Sequence, residues 1–331
     1  MNAFGILFRV SIFGESHGPC VGITIDGCPA GLSLTEADLL PDLERRKGGT
    51  QKGTTPRQEA DYPIFKSGLF NEKTTGFPIT ILFENNNTRS EDYQKQRSFP
   101  RPGHADMTAH QKFGGNEDYR GGGHFSARLT TGLVAAGAIA KKLMPAVSIV
   151  ATITEIAGEQ DLEKGLQKAI DAKDSVGGIV ECRVKGLPSG LGEPYFQSVE
   201  SALAQIIFAV PAVRGIEFGT GFAAARMFGS EHNDAIMDER GTTKTNHAGG
   251  VVGGITNGNE LVFRLAIKPT SSTPKEQVSL NWDTGKAEAF SIKGRHDLCV
   301  ALRAPVIIEA VTAIVLADFM LREQKIKRVL D

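Results

Sequence analysis

Two histidines stand in loop-forming segments where an imidazole could exchange protons. His17 lies in GESHG, residues 14–18, and His104 lies in RPGHAD, residues 101–106. Glycine or proline lies close to both rings, and neither segment shows the periodicity of a helix or a strand. An exposed imidazole titrates near neutral pH, so both histidines are candidates for general acid–base catalysis. The alternative for His17 is a loop histidine without a chemical role.

The segment around His104 also contains residue types that bind metals. Asp106 and His110 follow His104, but their spacing in a loop with proline and glycine matches no zinc motif, and HExxH is absent. We therefore expect no metal. We favour a proton-transferring His104 beside an anion-binding Arg101.

A basic segment rich in glycine and threonine, LERRKGGTQKGTTPRQEAD at residues 43–61, could bind anions. Its basic residues are Arg45, Arg46, Lys47, Lys52 and Arg57. Arginine forks bind phosphate and carboxylate through paired hydrogen bonds, and loop amides can add to them. A solvated charge run is the alternative, and the segment does not match the P-loop pattern GxxxxGK[ST]. The interleaved glycines favour phosphate or carboxylate binding.

Three consecutive glycines occur in RGGGHFSAR, residues 120–128. They precede an apolar run that we predict to be a helix capped by Ser126, whose first N–H groups would suit an anion. The dinucleotide-binding pattern GxGxxG is absent, so a linker and an anion-binding loop both remain open. Further along, KPTSS (268–272) brings one ammonium group and three hydroxyls together, and GRHD (294–297) adds an Arg–His–Asp group.

The composition limits the class of protein. The 331 residues carry a net charge of −1, with 40% hydrophobic and 23% charged residues, as in an ordinary globular protein. This charge balance, together with one Trp and four Tyr, argues against nucleic-acid binding. The 38 glycines exceed the about 23 that average usage would give. The excess indicates tight loops and close backbone approach to ligands.

The cysteines and the apolar segments indicate the compartment. The four cysteines form no CxxC pair, so we expect reduced thiols. Arg9 interrupts any start that resembles a signal peptide, and we expect no membrane span. The sequence therefore predicts a cytoplasmic protein that binds neither nucleic acid nor membranes.

Hydrophobic periodicity predicts strands and helices in mixed order. The expected strands are 21–27, 77–84, 146–158, 177–186 and 261–268. The expected helices are 127–144, 161–173, 194–210 and 305–324. Because the order lacks a steady βαβ rhythm, we expect an α+β fold rather than a doubly wound sheet. Long loops at about 45–58, 85–125 and 229–258 are expected to be functional.

Seven motifs, in this order, closely resemble those of the chorismate synthase family. They are GESHG, RRKGGTQKGTT, RPGHAD, GGGHFSAR, NHAGGVVGG, KPTSS and GRHDLCV, and they span residues 14–300. The resemblance implies a lyase that converts 5-enolpyruvylshikimate 3-phosphate to chorismate by 1,4-elimination of phosphate. It also implies a requirement for reduced FMN without net redox change, with NADPH acting only through an external flavin reductase.

The resemblance further implies one chorismate synthase domain over residues 1–331, with helices sandwiched between antiparallel β-sheets, in a homotetramer. Its catalytic residues would be His17, near the leaving phosphate, His104, which protonates reduced flavin, and Asp297, near flavin N5. Its substrate-binding residues would be Arg45, Arg46, Lys52, Arg101, Arg128 and Arg295. Its FMN contacts would be His124, Phe125, Ser126, Pro211, Ala212, Gly253, Lys268, Pro269, Thr270, Ser271, Ser272 and Arg295.

The chain departs from the commoner family pattern at two places. His124 and Phe125 stand where many members carry Arg-Ser, and Lys52 replaces an arginine. Each change removes one bidentate fork, although Lys52 keeps its charge. Arg46 and Lys52 also match family positions associated with NADP, but no nucleotide fingerprint supports such a site. A bifunctional form that also reduces its own flavin with NADPH is the alternative function.

Overall fold

The computed structural model describes residues 2–49, 52–55, 59–87, 97–292 and 296–326. The strands are β1 (Ala3–Phe4), β2 (Arg9–Gly14), β3 (Cys20–Asp26), β4 (Ile64–Ser67), β5 (Leu69–Phe70), β6 (Lys73–Thr74), β7 (Ile79–Glu84), β8 (Ser148–Ile156), β9 (Gly178–Lys185), β10 (Val213–Phe218), β11 (Val251–Val252), β12 (Ile255–Thr256), β13 (Leu261–Ile267), β14 (Gln277–Asn281) and β15 (Lys286–Phe290). The α-helices are α1 (Leu40–Arg46), α2 (Asp106–Phe113), α3 (Thr130–Leu143), α4 (Leu162–Ala172), α5 (Val199–Ile207), α6 (Gly229–His232) and α7 (Ala304–Arg322).

Two antiparallel sheets form the outer layers. The first has the strand order β1-β2-β3-β7-β4, and the second has the order β10-β13-β9-β8. Strand β13 shows how each sheet covers the core. Its residues Leu261, Phe263, Leu265 and Ile267 are buried, while the residues between them are partly exposed. This period of two places one face of the sheet on the core, as the alternation in the sequence predicts.

Helices α3 and α7 fill the space between the sheets. Helix α3 packs on β3 of the first sheet, α7 packs on β8 of the second, and the two helices pack on each other. Gly132 lets α3 approach β3, since a Cβ there would lie 3.0 Å from Cβ of Ile23. The layers are therefore sheet, helix, helix and sheet, which confirms the predicted α+β sandwich.

The closest contact between α3 and α7 lies at Gly137. A Cβ at this position would lie 2.3 Å from Cα and Cβ of Ala310. We therefore expect Gly137→Ala to lower the free energy of unfolding by about 1–3 kcal/mol through overpacking. This loss opposes the higher helix propensity of alanine, which is about 1 kcal/mol more favourable than that of glycine. Urea unfolding measures the change. Gly229→Ala is the control, because nothing lies within 4 Å of that position; equal stability of both variants would contradict the close packing.

Helix α7 is apolar on most sides. The segment Val300–Arg322 is long and apolar enough, by length and composition, to cross a membrane. The sequence had led us to expect no such segment. In the fold 78% of its most apolar window is buried, because the helix forms the centre of the core. Two buried acids, Glu309 and Asp318, interrupt its apolar surface.

Glu309 connects α7 to three neighbouring elements, α1, α3 and β8. Its carboxylate accepts hydrogen bonds from both terminal nitrogens of Arg45 at 2.7 Å and from Lys141 Nζ at 2.9 Å. The amide of Ala151 in β8 donates to it at 3.1 Å. Burial alone would raise the pKa of Glu309, but Arg45 and Lys141 lower it below its ordinary value. The carboxylate therefore remains charged inside the core.

The five predicted strands and the helices α3, α4 and α7 are confirmed. The helix predicted at 194–210 is shorter: the Ser198 side chain caps α5, and Tyr195–Gln197 form a separate 3-10 turn. The tract at 85–125 contains α2, which ends at Gly114 in a left-handed conformation, and a 3-10 turn at Arg120–Phe125. Loop-forming residues at both ends hid this short helix from periodicity.

Candidate active site

A cavity of about 620 Å³ lies at the start of α3 and at the turn before α7. Its volume falls within the range of roughly 300–1,000 Å³ that is usual for small-molecule sites. The described residues that line it include six basic side chains and three carboxylates. These are Arg46, Lys47, Arg101, Arg128, Lys268 and Arg303, with Glu59, Asp61 and Asp297. With neutral histidines, this wall attracts anions.

His104 and Arg101 form one cluster at the cavity wall. His104 Nδ1 lies 2.6 Å from Asp106 Oδ1, and Arg101 donates to both oxygens of Asp106 at 2.7 and 2.8 Å. Burial would raise the pKa of Asp106, but the hydrogen bonds from Arg101 and His104 hold it well below the ordinary range. The ionised carboxylate therefore orients both side chains.

The loop of three glycines packs against both candidate histidines. Gly121, Gly122 and Gly123 all have positive φ, at 59°, 84° and 52°. A Cβ on Gly121 would lie 2.3 Å from Nδ1 of His17, and one on Gly122 would lie 3.0 Å from Cε1 of His104. Glycine is thus required here by backbone conformation and by close approach.

His17 itself is 7% exposed and lies against Gly121 rather than among the residues that line the cavity. Its loop is held in place because Asn85 donates to the carbonyls of Glu15 and Gly18, at 3.0 and 2.8 Å. The amide of Ser16 donates to the carbonyl of Gly123. The GESHG and RGGGH motifs, distant in sequence, therefore form one unit.

Two buried arginines form the floor of the cavity around one carboxylate. Arg46 and Arg128 both donate to Asp61, which is 3% exposed. Arg46 also donates to Thr130 Oγ1 at 3.0 Å and to the Ala127 carbonyl at 2.9 Å. Burial lowers the pKa of Arg46 to about 9, so the guanidinium remains charged at neutral pH. Much of the hydrogen-bonding capacity of this pair is used within the protein.

Asp297 lines the cavity beside the turn before α7. Its carboxylate accepts from the amide of Thr55 at 2.8 Å and from Arg303 Nη1 at 3.3 Å. Arg303 also donates to the carbonyl of Arg46, which connects this wall to the floor. The arrangement fixes one acidic group at the cavity between two loops.

His296 lines the cavity with Nε2 buried and without a hydrogen-bond partner among the described residues. Burial, and then the charge of Arg101, lower the pKa of His296 to about 4. Below about pH 6.5 the unfolded chain therefore binds a proton that the folded protein excludes, so stability falls as the pH falls from 6.5 toward 4.

We expect this histidine to remove on the order of 2 kcal/mol from the free energy of unfolding between pH 7 and pH 5. Urea unfolding at both pH values should show a smaller difference for His296→Asn than for the parent protein. The same pH dependence in both proteins would contradict the neutral, buried imidazole.

The KPTSS segment docks on the RPGHAD segment. Lys268 Nζ donates to Ser271 Oγ at 2.6 Å, and Ser271 Oγ donates to the carbonyl of Gly103 at 2.7 Å. Burial, and then the charge of Arg214, lower the pKa of Lys268. Thr270 Oγ1 is buried with no partner in the described part of the chain.

Comparisons with known proteins give the family. The sequence matches the chorismate synthase family over residues 8–321. It is 69% identical over 330 residues to a chorismate synthase of Chitinophaga pinensis and 43% identical over 360 residues to one of Dehalococcoides mccartyi, each covering 99% of both chains. A crystal structure of a chorismate synthase matches with a TM-score of 0.73 at 26% identity, over 96% of this chain and 93% of that chain. The chain belongs to the chorismate synthase family. The protein is therefore a lyase of the shikimate pathway.

Most residues that the chorismate synthase resemblance singled out meet at the cavity. Those that line it are Arg46, Arg101, His104, His124, Phe125, Ser126, Arg128, Pro211, Ala212, Lys268, Thr270, Ser271, Ser272 and Asp297. Ser126 caps the first turn before α3 by accepting from the amide of Arg128. His124 Nδ1 lies 2.9 Å from the Gly14 carbonyl, and its Nε2 is buried with no partner among the described residues. His124 therefore presents an acceptor nitrogen rather than the donors of an arginine.

The structure does not bring every predicted chorismate synthase residue to the cavity. Arg45 donates to Asp42 and Glu309 instead, and Lys52 Nζ lies 3.5 Å from Gln167 Oε1. Gly253 is an exposed residue in the turn between β11 and β12, and Pro269 is absent from the lining. Arg57 and Arg295 lie outside the described residues. The binding roles of these residues stay predictions.

Sequence reasoning missed four residues of the chorismate synthase site. Asp61 ends the basic segment at residues 43–61, whose pattern points only to its cations, and no motif marks Arg303. Asp106 and His296 lie within quoted motifs, but Asp106 was considered only as a metal ligand. In the described residues no group of three metal-binding side chains occurs, and His110 turns to Glu117 and Trp282.

Proposed function

We propose that this member of the chorismate synthase family catalyses the 1,4-elimination of phosphate from 5-enolpyruvylshikimate 3-phosphate, giving chorismate, with reduced FMN as cofactor. The observation that carries the proposal is the cavity itself, which combines six basic residues with His104 and Asp297. The substrate bears two carboxylates and a phosphate, and FMN bears a further phosphate. A ligand pair with this charge requires a local excess of cations in a protein of nearly neutral net charge.

The described lining also fits a flavin. Apolar side chains at the cavity include Leu129, Leu133, Ile206 and Val300, which suit an aromatic ring system. Three buried polar atoms without partners in the described chain, His124 Nε2, His296 Nε2 and Thr270 Oγ1, provide hydrogen-bonding groups for a ligand. The residues that would hold FMN are His124–Ser126, Pro211, Ala212, Lys268 and Thr270–Ser272. When bound, reduced FMN supplies electron density that assists C–O cleavage without net oxidation.

Three side chains, His104, Asp297 and His17, have separate roles in proton transfer in this proposal. We assign His104 a proton transfer through its Nε2, because its Nδ1 is hydrogen-bonded to Asp106. Asp297, held by Thr55 and Arg303, provides a fixed carboxylate for a second proton. His17 would protonate the leaving phosphate, as the resemblance implies, from its place behind Gly121.

An anaerobic assay tests the proposal. Purified protein is mixed with chemically reduced FMN and 5-enolpyruvylshikimate 3-phosphate, and chorismate and phosphate are measured. We expect equal amounts of both products. Absence of turnover with reduced flavin would overturn the assignment. Turnover with oxidised FMN and NADPH alone would show the bifunctional form.

The family resemblance also leads us to propose a cytoplasmic homotetramer. Large aromatic side chains on the surface of one chain support the assembly. The most exposed are Phe196, Tyr195, Phe222 and Phe228, at 91%, 85%, 80% and 77%. Such groups are typical of protein contacts. Gly253 is exposed and does not line the cavity, which fits a flavin contact made with a neighbouring chain. Sedimentation equilibrium measures the assembly, and a monomer would contradict it.

A further inference from the structure

Asp106, at the start of α2, is the common acceptor for the two side chains beside it. Its Oδ1 accepts hydrogen bonds from His104 Nδ1 at 2.6 Å and from Arg101 Nη2 at 2.8 Å. Its Oδ2 accepts from Arg101 Nε at 2.7 Å and from the Arg101 amide at 3.0 Å. Asp106 therefore fixes the backbone and the guanidinium of Arg101 as well as the ring of His104.

The charges in this cluster determine the tautomer of His104. Arg101 Nη2 lies 3.1 Å from His104 Nδ1, yet both atoms lie within hydrogen-bond distance of the same oxygen. An ionised carboxylate can only accept, so Nδ1 must carry the hydrogen in the neutral ring. The approach of Nη2 to Nδ1 follows from two donors that converge on one acceptor. The lone pair of the neutral imidazole then lies on Nε2.

The side of the ring that carries Nε2 faces the glycine loop. A Cβ on Gly122 would lie 3.1 Å from His104 Nε2 and 3.6 Å from Arg101 Nη2. Because glycine stands there, no side chain at this position covers the nitrogen. His104 lines the cavity, and Nε2 is the ring nitrogen that remains for ligand chemistry.

We infer that Asp106 is a positioning residue that holds His104 in its Nδ1–H tautomer and Arg101 in the matching orientation, so that Nε2 is the proton-transferring atom. The inference rests on the proposed function for its catalytic consequence, but the tautomer can be measured without any ligand. A carboxylate behind a histidine commonly sets the tautomer and the orientation of the ring.

Solid-state NMR of the full chain labelled with ¹⁵N-histidine tests the tautomer. The seven histidines give resolved Nδ1 and Nε2 signals for each neutral form, and His104→Gln identifies those of His104. At alkaline pH we expect a protonated Nδ1 and an unprotonated Nε2 in the parent protein. A protonated Nε2 would overturn the inference, even if no Asp106 variant folds.

Variants test the consequence. Asp106→Asn should give mixed or reversed His104 tautomers and lower kcat by roughly 10²-fold, whereas Asp106→Glu should restore part of both. Asp118→Asn is the matched control, because Asp118 binds Arg120 through the same Nε and Nη2 pair; it should leave the His104 signals unchanged. Unchanged signals in Asp106→Asn would overturn the inference. Failure of the flavin assay alone would overturn the proposed function and leave the tautomer result standing.

Discussion

Replacing His104 with alanine should lower turnover in the anaerobic assay by roughly 10²-fold or more. In the proposed reaction this ring exchanges the proton, with Nδ1 held by Asp106 and Nε2 toward the glycine loop. Asp106 and Arg101 keep their mutual hydrogen bonds when the ring is removed. We therefore expect a loss mainly in kcat, and an unchanged melting temperature within a few degrees.

His17→Ala should lower turnover by a similar factor. His110→Ala is the control for both, because His110 is half exposed, packs against the Trp282 ring with the centroids 4.8 Å apart, and contacts Glu117. We expect its turnover to remain within a few-fold of the parent value. Near-normal rates for His104→Ala and His17→Ala would show that the two roles are misassigned.

Alanine at Gly121 should cause a loss comparable to removal of His17, and alanine at Gly122 a smaller loss through His104. The added Cβ would lie 2.3 Å from the ring of His17 in the first case and 3.0 Å from that of His104 in the second. The ring of His17 must then move, and a displacement of about 1 Å in a catalytic group can cost on the order of 10²-fold in rate. The ring of His104 must shift by a few tenths of an ångström, so the loss for Gly122→Ala should be the smaller of the two. Initial rates in the anaerobic assay measure this effect.

A positive φ at these glycines adds backbone strain, so the control must carry the same strain. Gly158→Ala provides it, since Gly158 has a φ of 78° and no atom lies within 4 Å of its added Cβ. This variant should lose roughly 1 kcal/mol of stability but retain turnover. Equal loss of turnover in all three variants would mean that strain, rather than contact with the histidines, determines the outcome.

Periodicity predicted the elements that have one dominant environment. Strand β13 alternates because one face meets the core, and α3 and α7 are apolar because they lie between two sheets. Strand β2 was not predicted, because most of its residues are only partly buried and no clean alternation results. Helix α2 was not predicted because its eight residues carry too few buried positions.

The candidate site could be predicted only as far as the motifs reached. The resemblance placed His104, Arg128 and Lys268 in one site, and the cavity brings them together. It could not show that Arg45 turns to Glu309, because adjacent helix residues point in different directions. Nor could it identify Asp61, whose importance lies in its contact with Arg46 and Arg128.

The sequence alone determined the family, the α+β class and the types of residue available for chemistry, because these follow from ordered motifs and local periodicity. Only the tertiary structure decided which donors remain for a ligand. Arg46 and Arg128 are held by Asp61, and His104 is oriented by Asp106. Gly121 and Gly122, which belong to no periodic pattern, form the surface on which His17 and His104 pack. Hydrogen bonds and close approach depend on distances between segments far apart in the chain, and these distances exist only after folding.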